Sequence, residues 1–190
     1  MTRIIAGTAK GTRLTAPKTG TRPTSDRVRE ALFSTLATWF GTADLPAERH
    51  LAGVSVLDLY AGTGAVALEA ASRGAAAVAV DSQTAPLIVA NARRANLHIT
   101  VRGSKAEARL PPGPFDLVFA DPPYDVDSVA LDQTLARLFS PGQLVSQALV
   151  VLERSTRSAA PTWPVGIDQE WSRGYGETTL YFAATPAGES

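Results

Sequence analysis

The segment Asp121-Pro-Pro-Tyr124 places a carboxylate, two prolines and an aromatic ring directly after an apolar run. Two consecutive prolines fix φ and remove two backbone donors, which predicts a rigid turn presenting carbonyl and carboxylate acceptors. Such acceptors can hold the N–H bonds of an exocyclic aromatic amine and stabilise charge that develops on its nitrogen. Tyr124 offers a face on which a base can stack. We therefore interpret the segment as a site that binds an amine for alkylation. The alternative interpretation is an ordinary loop.

A second motif, Asp58-Leu-Tyr-Ala-Gly-Thr-Gly64, lies between a predicted strand and a predicted helix. Glycine at such a turn lets a ligand approach the backbone at the helix start. Asp81 lies nineteen residues beyond Gly62, at the end of the next predicted strand, where a carboxylate suits a ribose diol. Asp58 would repel a pyrophosphate but pair with an ammonium group. These features indicate a nucleoside cofactor, although each aspartate alone also fits a turn or helix cap.

The apolar patterning between and around these motifs alternates strands with helices. The predicted strands are residues 54–59, 77–80, 99–101, 115–120 and 148–152, and the predicted helices are 25–41, 65–73, 85–95 and 129–139. Residues 167–171 and 178–183 flank Ser172-Arg-Gly-Tyr-Gly176, which predicts a hairpin. Alternation of this kind implies right-handed crossovers and a doubly wound α/β fold with a mostly parallel sheet.

The N-terminal region is basic. Residues 1–40 hold seven basic and two acidic side chains, a net charge of +5, while the rest of the chain carries −5. Residues 3–22 alternate short β-favouring stretches with glycine and proline, which predicts a small hairpin or arm. A basic arm on a mildly acidic body fits contact with a polyanion as well as it fits a solvated tail.

Composition excludes several classes of protein. The 190 residues include no cysteine, which rules out disulfides, thiolate metal sites and a cysteine nucleophile such as pyrimidine C5 methylation requires. No apolar run approaches the roughly 18 residues that span a bilayer, and the start has no apolar signal segment. We therefore expect a soluble, cytoplasmic protein with no membrane partner.

Together, the glycine turn, Asp81 and Asp121-Pro-Pro-Tyr124 resemble the Rossmann-like S-adenosylmethionine-dependent methyltransferases that modify exocyclic amines. The N-terminal sequence narrows the resemblance: Arg3-Ile-Ile-Ala-Gly, Gly11-Thr-Arg-Leu and Arg22-Pro-Thr-Ser-Asp-Arg-Val-Arg-Glu-Ala-Leu-Phe33 are similar to the bacterial family that methylates guanine N2 in 16S ribosomal RNA. With Gly176-Glu-Thr-Thr-Leu-Tyr181, the resemblance covers nearly the whole chain.

The resemblance implies a seven-stranded sheet ending in an antiparallel hairpin, with residues 1–23 as an RNA-contacting arm and residues 24–190 as the methyltransferase domain. The implied reaction is methyl transfer from S-adenosylmethionine, without a metal, to guanine N2 at position 966 of 16S ribosomal RNA. A chain of this length leaves little room for sequence readout, so we expect the RNA to be presented within an assembled or partly assembled small subunit. We also expect the enzyme to be a monomer.

The site residues follow from the same resemblance. The implied catalytic residues are Asp121, Pro122 and Tyr124, with the Asp121 side chain and Pro122 carbonyl on the amine. The implied cofactor-binding residues are Arg22, Pro23, Thr24, Asp58, Tyr60, Gly62, Thr63, Gly64, Asp81 and Ser104. The charge of the basic arm, and not the resemblance, predicts that the RNA-binding residues are Arg3, Lys10, Arg13 and Lys18. Ser104 stands where such enzymes often place Asp or Asn near the adenine.

Two other functions remain open at this point. A DNA adenine-N6 methyltransferase can use the same tetrapeptide, but it normally needs a target-recognition region for which 190 residues leave no room. A nicotinamide-dependent oxidoreductase fits the glycine turn but leaves Asp121-Pro-Pro-Tyr124 and the basic arm unexplained.

Overall fold

One seven-stranded sheet organises the chain. The computed structural model describes residues 2–17 and 24–188. The strands are β1 (Ser55–Leu59), β2 (Ala76–Val80), β3 (Thr100–Arg102), β4 (Phe115–Ala120), β5 (Leu144–Ser155), β6 (Gln169–Tyr175) and β7 (Thr178–Ala184). Their spatial order is β3-β2-β1-β4-β5-β7-β6, with β1 to β5 parallel and β7 antiparallel to both its neighbours. The predicted doubly wound sheet with a C-terminal antiparallel hairpin is confirmed.

Helices cover both faces of this sheet. They are α1 (Asp26–Trp39), α2 (Ala65–Ser72), α3 (Ala85–Ala95) and α4 (Ser128–Leu138), with a short 3-10 turn at Ala47–Arg49. The apolar stripe of α1 and buried residues of α2 and α3 pack on one face, and α4 packs on the other through Leu131, Leu135 and Leu138. Within residues 2–17 and 24–188, no helix is long and apolar enough to cross a membrane.

Helix α1 begins where the sequence predicts. Ser25 has extended backbone angles and its hydroxyl accepts a hydrogen bond from the Val28 N–H, which satisfies one of the free donors of the first turn. Asp26 adds a negative charge at the positive end of the helix dipole. Gly41 has a φ of +67°, which few other residues tolerate, and it follows the helix end.

The strands near the C-terminus are longer than predicted. β5 extends from Leu144 to Ser155, so Glu153 belongs to it. β6 continues to Tyr175, and the hairpin turn is Gly176-Glu177 rather than the whole of residues 172–176. The polar residues of β6 gave no apolar pattern because β6 is an edge strand with most side chains exposed. Trp171 anchors this strand by stacking on Phe182, with ring centroids 4.9 Å apart.

The N-terminal hairpin, residues 2–15, is docked on the helices. A bridge between Arg3 and Arg13 pairs its two arms. Its apolar side chains, Ile4 and Leu14, are buried against residues of α2 and α3 such as Leu68 and Ala92. Gly7 has a φ of +84°, and a Cβ there would lie 1.8 Å from the Ser72 carbonyl oxygen, so glycine permits this close packing.

Buried polar contacts fix the hairpin to α2. The Glu69 carboxylate is fully buried and accepts hydrogen bonds from the backbone N–H groups of Ile5 (2.7 Å) and Ala6 (3.0 Å). It also accepts one from Arg73 Nε at 2.8 Å, and Arg29 Nη1 lies 3.8 Å from its other oxygen. Arg29 is itself fully buried, so one of the seven N-terminal basic side chains stabilises the fold and is not available to a polyanion.

Replacing Glu69 by alanine should destabilise the protein by roughly 3–5 kcal/mol, because it leaves the buried Arg29 charge poorly compensated and two hairpin N–H groups unpaired. Urea denaturation measures the loss. The exposed Glu48→Ala variant is the control and should unfold at nearly the wild-type urea concentration. Equal midpoints for the two variants would contradict this assignment.

Candidate active site

The glycine turn joins β1 to α2 at the carboxyl end of the sheet. Gly62 and Gly64 have φ angles of +55° and +78°. A Cβ on Gly64 would lie 2.8 Å from Ile88 Cγ2, so this glycine packs against α3. A Cβ on Gly62 would have no protein atom within 4 Å, so the chain leaves open space at that glycine. Gly64 therefore serves packing, while Gly62 borders space that a ligand can occupy.

Asp81, directly after β2, is tied to the glycine turn. Its Oδ2 accepts from the Gly62 N–H (3.0 Å), and its Oδ1 accepts from the N–H groups of Gln83 (2.8 Å) and Thr84 (2.9 Å). These bonds fix the carboxylate at the partly exposed rim beside Gly62. A carboxylate oxygen can accept more than one hydrogen bond, so Asp81 keeps acceptor capacity for a diol.

Asp58 lies inside β1 and is only 1% exposed. Its Oδ2 accepts from the Ala67 N–H at 2.9 Å, so it also caps the first turn of α2. Burial raises the pKa of Asp58 from 3.8 to about 7. The Ala67 hydrogen bond lowers this pKa, whereas the negative charges of Asp81 and Glu153 raise it further. A cationic group bound here would favour the ionised carboxylate.

Tyr60 is the residue where the chain leaves β1. Its φ of +59° breaks the strand alternation, and its ring packs with the cluster beneath α4. Burial and the neighbouring Glu107 raise the pKa of the Tyr60 hydroxyl above its usual value. The ring thus lies on the opposite face from Asp58, and its part in cofactor binding stays a prediction.

Asp121 follows β4, and its N–H donates to the Leu59 carbonyl at 3.4 Å. Pro122 is buried, which fixes the turn, whereas Tyr124 is 85% exposed and its ring is accessible. Burial and then the charges of Glu153 and Asp58 raise the pKa of Asp121, and Arg154 opposes this. The structure therefore brings the predicted acceptors to the same edge of the sheet as the glycine turn.

Glu153 belongs to this site although the sequence analysis did not identify it. It lies near the end of β5, is 8% exposed, and accepts a hydrogen bond from the Thr24 hydroxyl at 2.7 Å. Burial also raises the pKa of Glu153. The available signal was its position directly after the apolar run 148–152, since a carboxylate there must end beside Asp121 in a parallel sheet.

Asn91, also absent from the predicted site residues, connects the hairpin to the glycine turn. It is fully buried on α3. Its Oδ1 accepts from the Thr15 N–H (2.9 Å), and its Nδ2 donates to the carbonyls of Thr15 and Thr63, both at 3.0 Å. Thr63, a predicted cofactor residue, is thereby held through its backbone.

The remaining predicted residues are distributed as follows. Thr24 is buried at the start of α1, and Ser104 is partly exposed after β3. Arg3, Lys10 and Arg13 are exposed on the docked hairpin. Lys18, Arg22 and Pro23 lie outside the described residues. In the part of the chain that the structure describes, no three His, Cys, Asp or Glu side chains are grouped to hold a metal ion.

Comparison with known sequences identifies relatives over most of the chain. The sequence model of a family described as conserved hypothetical protein 95 matches residues 2–184. Ribosomal RNA small subunit methyltransferase D of Escherichia coli is 32% identical over 169 residues, which are 85% of this chain and 79% of that protein. The protein of the same name from Haemophilus influenzae is 31% identical over 165 residues, 80% of this chain and 77% of its own.

Solved structures show the same architecture. The Escherichia coli protein yhhF superposes with a TM-score of 0.80 at 29% identity, over 98% of both chains. A Thermus thermophilus hypothetical protein gives a TM-score of 0.74 at 31% identity, over 98% of this chain and 100% of its own. A 16S rRNA methyltransferase of Thermus thermophilus, solved with AdoMet and guanosine, shares the fold at a TM-score of 0.63 and 20% identity, over 87% of this chain and 44% of its own.

The raised pKa of Asp58 makes a prediction about stability. Because the folded state binds this proton more tightly than the unfolded state, Asp58 makes a contribution to stability that is fully present below pH 3.8 and is lost as pH rises through about 7. Asp58→Asn keeps an acceptor for the Ala67 N–H but cannot ionise. It should therefore lose less stability than the wild type between about pH 5 and pH 8, as measured by urea denaturation.

The exposed Asp132→Asn variant is the control for that series, and its difference from the wild type should not vary with pH. The pKa values of Asp121 and Glu153 are also raised, so the stability of Asp58→Asn should still depend on pH to some extent. Identical pH slopes for Asp58→Asn and the wild type would show that burial of Asp58 has no such cost.

Proposed function

Because the chain belongs to the conserved hypothetical protein 95 family, that of ribosomal RNA small subunit methyltransferase D, we propose that it methylates the exocyclic N2 of a guanine in 16S ribosomal RNA. The methyl donor is S-adenosylmethionine, and by resemblance the target is the guanine at position 966. The observation that carries the proposal is the placement of Asp121-Pro-Pro-Tyr124 beside the glycine turn, on the adjacent parallel strands β4 and β1.

The residues of the glycine turn fit this cofactor. The open space at Gly62 admits a ligand, Asp81 offers acceptors for a ribose diol, and Asp58 offers a carboxylate for an ammonium group. When bound, S-adenosylmethionine supplies an electrophilic methyl group. The proposed cofactor site also includes Arg22, Pro23, Thr24, Tyr60, Thr63, Gly64 and Ser104.

The proposed mechanism is direct transfer without a covalent enzyme intermediate. The Asp121 carboxylate and the Pro122 carbonyl accept the N–H bonds of the guanine amine and orient its lone pair toward the methyl carbon. The N–C bond forms as the C–S bond breaks, and positive charge develops on N2. Asp121 stabilises that charge and accepts the proton that N2 releases, a role suited to a carboxylate whose pKa is raised.

A flipped base is the form of substrate that this site accommodates. Tyr124 is exposed beside the acceptors, so its ring can stack on a base that has left its helix. A chain of 190 residues leaves little surface for sequence readout, and RNA is often recognised by shape. We therefore propose that the substrate is an assembled or partly assembled small subunit. We also propose that the enzyme is a monomer and acts in the cytoplasm.

Asp121→Asn should abolish methyl transfer, because the amide removes the charge and the proton acceptor, while S-adenosylmethionine affinity stays within a few-fold of the wild type. Tritium transfer from labelled S-adenosylmethionine measures turnover, and calorimetry measures affinity. The substrates are unmodified small subunits, naked 16S RNA and genomic DNA. Asp132→Asn, on the exposed face of α4, is the matched control and should retain activity.

Label recovered as N2-methylguanine supports the proposal, and the ratio of subunit to naked RNA identifies the form of the substrate. Label in DNA adenine would instead favour the DNA adenine-N6 methyltransferase. No label anywhere, with no binding of S-adenosylmethionine, would return the nicotinamide-dependent oxidoreductase to consideration.

The exposed cations of the N-terminal hairpin should bind RNA phosphates. Replacing Lys10 and Arg13 by glutamine should weaken RNA binding and reduce the slope of log affinity against log salt by roughly 0.7 to 0.9 per lost contact. Filter binding across a salt series measures both quantities. Arg49→Gln with Arg157→Gln removes two exposed charges elsewhere and is the matched control. An unchanged slope in the hairpin variant would exclude phosphate contacts by these residues.

A further inference from the structure

Glu153 is a buried carboxylate near the end of β5. The parallel register pairs Ala120 with Leu152, so Asp121 and Glu153 are the next residues on their adjacent strands. The Thr24 hydroxyl donates to Oε2 of Glu153, which fixes the orientation of the carboxylate. Among the described residues, no group donates to Oε1, and no basic side chain lies within salt-bridge distance of either oxygen.

The sheet also determines which side of the site Glu153 faces. Asp58 pairs with Phe119 and Glu153 pairs with Leu180, and both partners belong to the core cluster beneath α1 and α2. Because side chains alternate along a strand, Asp58 and Glu153 project from the same face of the sheet. The charge of Glu153 raises the pKa of both Asp58 and Asp121, which places the three carboxylates within electrostatic reach.

The order of the strands places these carboxylates at different distances from the glycine turn. Asp58 on β1 adjoins the glycine turn, Asp121 follows β4, and Glu153 lies on β5, beyond Asp121 from the turn. Glu153 is therefore closer in the strand order to the predicted acceptors of the amine than to the glycine turn. A buried carboxylate is costly unless donors satisfy it, and a base held at Asp121 can supply such a donor to Glu153.

We propose that Glu153 is a specificity-determining residue that accepts the N1–H of the target guanine while Asp121 and the Pro122 carbonyl hold its N2 amine. This inference rests on the proposed function. Guanine presents N1–H next to its amine, so neighbouring carboxylates match two donors on one edge. A purine with an unprotonated N1 would instead direct a lone pair at the Glu153 carboxylate, which is repulsive and leaves a buried acceptor unpaired.

The test compares two bases that both carry the 2-amino group. Small subunits are reconstituted with RNA bearing either guanine or 2,6-diaminopurine at the methylated position. 2,6-Diaminopurine keeps the amine but has a lone pair at N1. Wild-type enzyme should prefer guanine in kcat/KM by roughly ten-fold or more, the discrimination expected of one charge-assisted hydrogen bond.

Glu153→Gln replaces the carboxylate by an amide, which can donate to the N1 lone pair of 2,6-diaminopurine. We expect slower methylation of guanine, equal or faster methylation of 2,6-diaminopurine, and a preference that falls toward one. Glu170→Gln, an exposed acid on β6, is the matched control and should keep the wild-type preference. Calorimetry should give an unchanged S-adenosylmethionine affinity for Glu153→Gln.

A loss of activity that is equal on both bases would overturn the inference, because it would assign Glu153 only to holding Thr24 and the start of α1. If Glu153→Gln does not fold, Glu153→Asp keeps the charge and withdraws the carboxylate by one methylene. It should lower the guanine preference as well, and an unchanged preference in that variant overturns the inference.

The wild-type arm separates this inference from the proposed function. If wild-type enzyme methylates no guanine in RNA, the proposed function fails and the role of Glu153 fails with it. If wild-type enzyme methylates guanine but shows no preference over 2,6-diaminopurine, the proposed function stands and only the role of Glu153 is overturned.

Discussion

Parallel pairing of β1, β4 and β5 brings Asp58, Asp121 and Glu153 to one edge of the sheet. Right-handed crossovers through helices direct the carboxyl ends of these strands to the same side, so residues far apart in the sequence become neighbours. Asp58 and Glu153 are buried and Asp121 is half-buried. Loss of hydration raises the pKa of all three carboxyl groups, and the charges of neighbouring carboxylates add to this effect at Asp58 and Asp121. This arrangement is costly for the protein alone and suits ligands that are cationic or rich in hydrogen-bond donors.

Much of the architecture could be predicted from the sequence because local patterns and the sheet agree. The helix Ala65–Ser72 follows the glycine turn, the helix Ala85–Ala95 has apolar periodicity, and the buried strands have apolar residues on both faces. β6 was predicted less well, since its side chains are polar and its length is set by pairing with β7. An edge strand receives its structure from its neighbour more than from its own residues.

The site was predictable where a motif is contiguous and less so where contacts are distant in sequence. Asp121-Pro-Pro-Tyr124 and the glycine turn are contiguous motifs, and each predicts its own local backbone geometry. Glu153 and Asn91 do not, because their roles come from Thr24, 129 residues away, and from Thr15, 76 residues away. The net charge of +5 over residues 1–40 also overstates the charge that a polyanion can reach, because Arg29 is buried against Asp26 and Glu69.

Asn91 has a consequence for how the chain tolerates substitution. One amide joins the hairpin at Thr15 to the turn at Thr63, so these two segments share a single buried partner. Both contacts are to backbone groups, which any residue at position 63 and any residue but proline at position 15 supplies. Substitution of Asn91 itself is therefore the change that would release the hairpin and the glycine turn together.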